Sequence, residues 1–157
     1  MKKTLLFIIL CLLVGVTAGA KVKPKPKAAT ATYTVEKAHN VYSNGAEVTE
    51  QSTLTDKSVI EIENNGYIMF VNQKAKKRYY ISKPQKGTVK NLISIVKAPK
   101  AVSKYYLESM MSEKQSRSRD TYSSAGYVTM RPPAVYLDNV EADKNGDIKV
   151  YMIEEDE

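Results

Sequence analysis

The strongest structural signal in the chain is the stretch SVIEIENNGYIMFV at residues 58–71. Ile60 and Ile62 alternate with two glutamates, which is the pattern of a strand with one face in a core and one in water. The residues NNG at 64–66 predict a turn, and YIMFV at 67–71 predicts a return strand that is apolar on both faces. A chain built around such a pair folds mainly as antiparallel β-sheet.

Further strand and helix signals lie on both sides of this stretch. Strand-like residues occupy 31–35 and 78–82, and Asn44-Gly45 predicts a tight hairpin turn after residues 41–43. Apolar residues then recur at helical spacing before Pro99 ends the pattern, and a second helical segment covers 100–113. These signals predict an α+β fold, mainly antiparallel β as a small barrel or sandwich, with two helices near 88–113. The first helical stripe consists of Val89, Leu92, Ile93 and Val96.

The last third of the chain is polar at first and strand-like afterwards. Residues 112–124 lack apolar periodicity and predict a mobile loop. Short strands are predicted at 127–130 and 134–137, and a final hairpin joins 140–142 to 148–153.

The centre of that hairpin, DKNGDI, also resembles part of a calcium loop. With Gly146 at loop position 6, Asp143 and Asn145 fall at positions 3 and 5, but position 12 is Met152, which supplies no carboxylate. Both flanks are strand-like. We therefore interpret Asp143, Asn145 and Asp147 as a hairpin turn, with no metal, and expect three residues of the last strand to face inward: Ile148, Val150 and Met152.

The N-terminus predicts export. Lys2 and Lys3 precede an apolar run that ends in small residues, which is the pattern of a secretory signal peptide over residues 1–20. Its removal takes away Cys11 and lowers the formal charge from +7 to +5, leaving a chain without disulfides. We expect a bacterial protein of the periplasm or extracellular space, with no transmembrane segment after cleavage.

The remaining chain divides by composition into three parts. Residues 21–31 alternate lysine with proline and predict a linker. Residues 32–98 predict a small β-domain with a C-terminal helix. Residues 99–157 predict a helix, a mobile polar loop and closing strands.

Chemistry-bearing residues are few. His39 is the single histidine, and no cysteine follows the signal, so thiolate, zinc and triad chemistry are disfavoured. Glu61 and Glu63 share one strand face, and an unrecognised carboxylate pair is the least favoured alternative. We expect a chain that is not an enzyme and needs no cofactor.

A basic stretch that ends in two tyrosines is the candidate binding surface. Its charge and aromatic rings suit an acidic protein surface or an anionic envelope polymer. Single-stranded nucleic acid uses the same residue types, but export argues against that partner. The candidate residues are Lys74, Lys76, Lys77, Arg78, Tyr79 and Tyr80.

Three segments carry a family resemblance: VEKAHNVYSNGAEV, LTDKSVIEIENNGYIMFV and YYIS. Across residues 33–96 they resemble the small exported β-domain of FecR-type periplasmic sensor proteins, and the lysine-rich, cysteine-free chain is similar to many exported proteins of Bacteroidota-like bacteria. The resemblance implies a sensing or docking module without catalysis, and it transfers no functional residue.

Together these observations favour a non-catalytic exported binding or accessory module that acts on another envelope or secreted protein. The first alternative is an envelope glycan or peptidoglycan binder that uses the basic, tyrosine-containing strand. The second is a hydrolase.

Overall fold

A computed structural model describes residues 30–96, 98–120 and 134–154 of the chain. The predicted signal peptide and nearly all of the predicted linker lie outside these residues. No helix within the described ranges is both long and apolar enough to cross a membrane.

Strands dominate the described chain. Two of the strands are long, and each of the others has seven residues or fewer. The elements are β1 Thr32–Ser43, β2 Ala46–Glu47, β3 Thr53–Thr55, β4 Val59–Asn72, β5 Lys77–Ile81, β6 Gln85–Thr88, α1 Val89–Ser94, β7 Lys100–Ser103, α2 Lys104–Asp120 and β8 Asp147–Ile153.

All of these strands join one sheet, whose main order is β2-β1-β4-β5-β8-β7. β3 pairs with β1, and β6 pairs with β4. Every pairing is antiparallel except that of β5 with β8. The predicted α+β class, mainly antiparallel with two helices, is confirmed, but the strands form one open sheet in place of the predicted small barrel or sandwich.

The predicted turn at residues 64–66 is wrong, because β4 continues through these residues as one strand. β1 pairs with both halves of β4: His39 opposes Tyr67 while Val41 opposes Ile62, so β4 absorbs extra residues in an irregularity. Gly66 sits so close to β1 that an added Cβ would lie 2.7 Å from the Asn40 carbonyl oxygen. The glycine therefore allows a bulged strand to pack closely against its neighbour. In a sequence, a glycine with this role looks the same as a glycine in a turn.

The predicted turn at Asn44-Gly45 is present. Asn44 and Gly45 both have positive φ, 52° and 80°, and connect β1 to β2 in the two-residue hairpin that Asn-Gly favours. The polar loop before residue 78 connects β4 to β5, with Asn72 opposite Lys77.

The helices differ from prediction at their ends. α1 begins after Thr88, whose side chain accepts a hydrogen bond from the Asn91 N–H, and it ends at Ser94. Residues 100–103 form β7 instead of helix, because they pair with β8 far along the chain. α2 also continues to Asp120, so the predicted loop at 112–124 is wrong over its first nine residues, and the remainder lies outside the described chain.

Two of the late strands are not formed. Residues 134–137 and 140–142 are irregular, and the predicted strand at 127–130 lies outside the described residues. The partners of β8 are β5 and β7, so the predicted hairpin between 140–142 and β8 is wrong. The inward face of β8 is confirmed: Ile148, Val150 and Met152 are all buried.

The sheet has an apolar core on each face. The first core joins β1, β3, β4 and β5 to Val89 and Leu92 of α1. The second lies under α2 and residues 135–140, and it includes Tyr67, Met69 and Tyr80. One sheet therefore runs through both of the predicted segments 32–98 and 99–157.

Candidate functional site

The predicted basic stretch begins in the turn between β4 and β5. Lys74, Lys76 and Lys77 are exposed. The Asn72 side-chain oxygen accepts a hydrogen bond from the Ala75 N–H at 2.9 Å, and Lys76 adopts a left-handed backbone with φ of 52°. The turn thus has a defined shape and presents three ammonium groups to water.

Arg78 belongs to the framework of the sheet. Its Nε and Nη2 donate to the two carboxylate oxygens of Glu36 at 2.7 and 2.9 Å, and the side chains are 18% and 19% exposed. Such a bidentate pair fixes both partners in one geometry. The guanidinium therefore joins β5 to β1 across β4, with its charge compensated.

Tyr79 and Tyr80 point to opposite faces of the sheet and are both buried. Tyr79 stacks on Phe70 with ring centroids 5.4 Å apart in the first core, whereas Tyr80 lies beside Tyr67 at 6.3 Å in the second. Burial raises the pKa of both phenols. The structure thus separates the predicted residues into three exposed lysines and three framework residues.

Two residues of β8 lie beside the exposed lysines and enlarge this surface. β8 runs parallel to β5 with Arg78 beside Val150 and Tyr79 beside Tyr151, so Lys149 lies next to Lys77 on the neighbouring strand. The Lys77 ammonium lies over the half-buried Tyr151 ring, 5.4 Å from its centroid, in cation–π geometry. We define the basic patch as Lys74, Lys76, Lys77, Lys149 and Tyr151.

The sequence contained a signal for these two residues. Lys149 and Tyr151 alternate with the inward residues of β8, so their position on the other face followed from the period of two. Their proximity to Lys77 could not be predicted in this way, because it depends on a parallel pairing of β5 at 77–81 with β8 at 147–153. These strands are about 70 residues apart in the chain.

The DKNGD segment is a turn closed by its own aspartate. Asp143 Oδ1 accepts hydrogen bonds from the N–H groups of Asn145 and Asp147 at 2.8 and 3.0 Å. These two bonds hold the pKa of the Asp143 carboxyl below its ordinary value of 3.8. Within the described ranges, no three histidine, cysteine or acidic side chains are grouped as metal ligands.

The two glutamates of the alternating strand do not form a matched pair. Both are exposed, and the Glu61 carboxylate accepts a hydrogen bond from the Lys86 ammonium at 2.6 Å. His39 lies beside Tyr67, with ring centroids 5.9 Å apart.

A second surface feature is a groove between β1 and the segment after α2. Its volume is about 90 Å³, and its walls come from β1, the loop before β3 and residues 136–140. Tyr136 lies on its rim and is 61% exposed, while its neighbours Val135 and Leu137 are buried. Sequence reasoning missed Tyr136, although the alternation of residues 135–137 places it opposite two apolar side chains. The lining residues are Glu36, Lys37, Glu50, Gln51, Tyr136, Leu137, Asp138, Asn139 and Val140.

No family model, curated protein or solved structure matched this chain in comparisons with known proteins. The FecR-type resemblance of residues 33–96 therefore stays a prediction.

Proposed function

We propose that the chain is a non-catalytic exported binding module that docks on an acidic surface of another envelope or secreted protein. The observation that carries the proposal is the basic patch: Lys74, Lys76 and Lys77 are exposed in one ordered turn, beside Lys149 of β8.

The patch combines charge with rigidity. Its lysines are long and mobile, but the backbone below them is fixed by the buried rings of Tyr79 and Tyr80 and by the Arg78–Glu36 pair. A fixed group of like charges attracts an acidic partner and speeds the encounter, and the attraction falls as salt rises because the screening length is about 8 Å at physiological salt.

Tyr151 gives the patch an amphipathic centre. Its ring is half-buried against Tyr79, with centroids 5.1 Å apart, and carries the Lys77 ammonium on one face. Tyrosines of this kind often anchor protein interfaces, since they bury area without a large loss of side-chain entropy.

A protein partner fits the extent of the patch better than a polymer does. The lysines occupy one turn and the start of one neighbouring strand, whereas an anionic polymer is bound most tightly along an extended track of charges. The predicted export of the chain argues against nucleic acid. The FecR-type resemblance, which implies docking or sensing, points to the same class of function.

The test is capture of proteins from the envelope fraction of the producing cell, followed by amine-directed cross-linking. The mature chain should retain one stoichiometric protein whose cross-links fall on Lys74, Lys76, Lys77 or Lys149. The double substitution Lys74→Glu/Lys77→Glu should weaken binding of that protein about tenfold or more, with weaker binding at higher salt.

The matched control is Lys57→Glu/Lys90→Glu, which reverses two exposed lysines in the turn before β4 and on α1. It changes the net charge equally and should leave capture intact. An equal loss of binding in both variants would mean that net charge, and not the basic patch, determines capture. Retention of an anionic polymer in place of a protein would support the envelope-polymer alternative.

A further inference from the structure

We infer that the groove beside Tyr136 is a second binding site, and that its ligand is a neutral saccharide. The site is separate in residues from the basic patch, and it goes beyond the proposed docking function.

The walls of the groove are held by paired charges. The Lys37 ammonium donates to Glu50 Oε1 at 2.8 Å, and the Glu36 carboxylate is bound by the guanidinium of Arg78. Residues of β1 line one part of the groove, and the loop before β3 is joined to β1 by a hydrogen bond of 2.8 Å from the Gln51 N–H to the Val35 carbonyl. These bonds fix the shape of the groove.

The segment that carries Tyr136 at the rim of the groove is also fixed by hydrogen bonds. The Leu137 N–H donates to Glu108 Oε1 at 2.8 Å, and the Val135 N–H donates to Ser112 Oγ at 3.0 Å, so α2 supports the segment on both sides of the tyrosine. The Val140 N–H then donates to the Leu137 carbonyl at 3.0 Å and turns the chain along the groove. The backbone that carries the exposed aromatic ring is thus held in place on both sides.

The remaining lining groups suit hydroxyl recognition. Gln51, Asp138 and Asn139 are exposed, and among the described residues their side chains make no hydrogen bond. Carboxylate and amide groups both accept hydrogen bonds, and the amides also donate, as adjacent sugar hydroxyls require. The apolar C–H face of a sugar ring packs on an aromatic ring through the hydrophobic effect.

Charge selects among ligand classes. Glu36 is paired with Arg78 and Glu50 with Lys37, so the Asp138 carboxylate is the remaining charge among these lining residues and disfavours an anionic glycan. A basic peptide is also disfavoured, because Glu36 and Glu50 are already paired and leave only Asp138 among these lining residues to meet an ammonium group. A volume of about 90 Å³ accommodates roughly three waters, so one edge of a sugar ring enters while its face rests on Tyr136.

The experiment titrates the mature chain with chitotetraose and with cellotetraose, two neutral oligosaccharides, and follows backbone amide signals by NMR. Saturable shifts should centre on Gln51, Asp138 and Asn139, with a dissociation constant near the millimolar range expected of so few contacts. Tyr136→Ala should weaken binding at least about tenfold, whereas Tyr136→Phe retains the ring and should retain most of the affinity.

Controls separate this site from the docking surface. Lys74→Glu/Lys77→Glu should bind the oligosaccharide as the parent does, and Gln51→Ala should weaken it several-fold. The inference is overturned if neither oligosaccharide binds at concentrations on the order of 10 mM, if Tyr136→Ala binds as well as the parent, or if a lysine-rich peptide saturates the groove instead.

Discussion

The two halves of β4 lie in one continuous strand but meet different surroundings. In the first half, Ile60 and Ile62 are buried while Glu61 and Glu63 are exposed. In the second half, every residue from Tyr67 to Val71 is buried, because α2 and residues 135–140 cover the face that the glutamates leave to water. A second layer therefore covers only part of the sheet, and the change from alternating to continuous apolar residues marks its edge.

This difference separates the part of the sheet that stabilises the fold from the parts proposed to bind ligands. The covered half holds the aromatic rings and the Arg78–Glu36 pair that fix β5, and both proposed binding surfaces lie at its margins. Stability should therefore reside in the covered half of the sheet, and recognition at its margins.

The largest effect is expected at alkaline pH. Burial raises the pKa values of Tyr33, Tyr67 and Tyr80 well above the ordinary 10.0. A raised pKa in the folded state means that the stabilisation is complete below pH 10 and is lost as pH rises above it, because the unfolded chain releases these protons first. We expect phenolate absorbance from these rings to appear together with loss of circular dichroism. Ionisation of all 11 tyrosines near pH 10 with an unchanged circular dichroism spectrum would contradict the burial of these rings.

Substitutions on the same face of the two halves should differ sharply. Met69→Ala removes a buried side chain from the second core and should lower the free energy of unfolding by about 2–5 kcal/mol in urea denaturation. Glu63→Ala, in the uncovered half, should change it by no more than about 0.5 kcal/mol. Similar values for both would mean that the covering layer adds nothing.

The irregularity between the halves is tested at Gly66. A Cβ there would meet the carbonyl oxygens of Asn40 and Glu63 at 2.7 and 2.8 Å. Gly66→Ala should therefore cost about 1–3 kcal/mol of unfolding free energy, through displacement of backbone. Gly45→Ala is the comparison, since no atom lies within 4 Å of that Cβ and only its positive φ opposes the change. An unaffected Gly66→Ala protein would contradict the close strand approach.

The Arg78–Glu36 pair should give a smaller effect, because its side chains are about one-fifth exposed. Arg78→Met leaves a partly buried carboxylate and should cost about 1–2 kcal/mol, between the values for exposed and fully buried pairs. Adding Glu36→Gln should restore part of the loss. A fully additive double variant in a mutant cycle would show that the two groups do not interact.

Local patterns predicted much of this fold. The Asn44-Gly45 turn, the inward residues of β8 and the start of α1 all follow from contacts within a few residues, which a sequence displays directly. Gly66 was misassigned because a glycine between two apolar runs serves a turn and a bulge equally well, and the choice depends on β1 pairing with both runs. The C-terminal part of α2 was misassigned as a loop because its polar residues bind distant parts of the chain. Gln115, for example, donates a hydrogen bond to the Tyr67 hydroxyl at 2.8 Å.

The binding surfaces were predictable to a lesser degree. The lysines of the β4–β5 turn are exposed as a polar turn requires, but Tyr79 and Tyr80 alternate on a central strand and are used by both cores. Lys149, Tyr151 and the Tyr136 groove depend on non-local pairing, which no single stretch of sequence encodes.

The most direct test of the separation between scaffold and docking surface measures stability and binding on the same protein. For Lys74→Glu/Lys77→Glu, the free energy of unfolding should stay within about 0.5 kcal/mol of the parent, while affinity for the captured acidic partner falls about tenfold or more. Unchanged affinity, or an affinity lost only together with stability, would contradict a docking role for the basic patch.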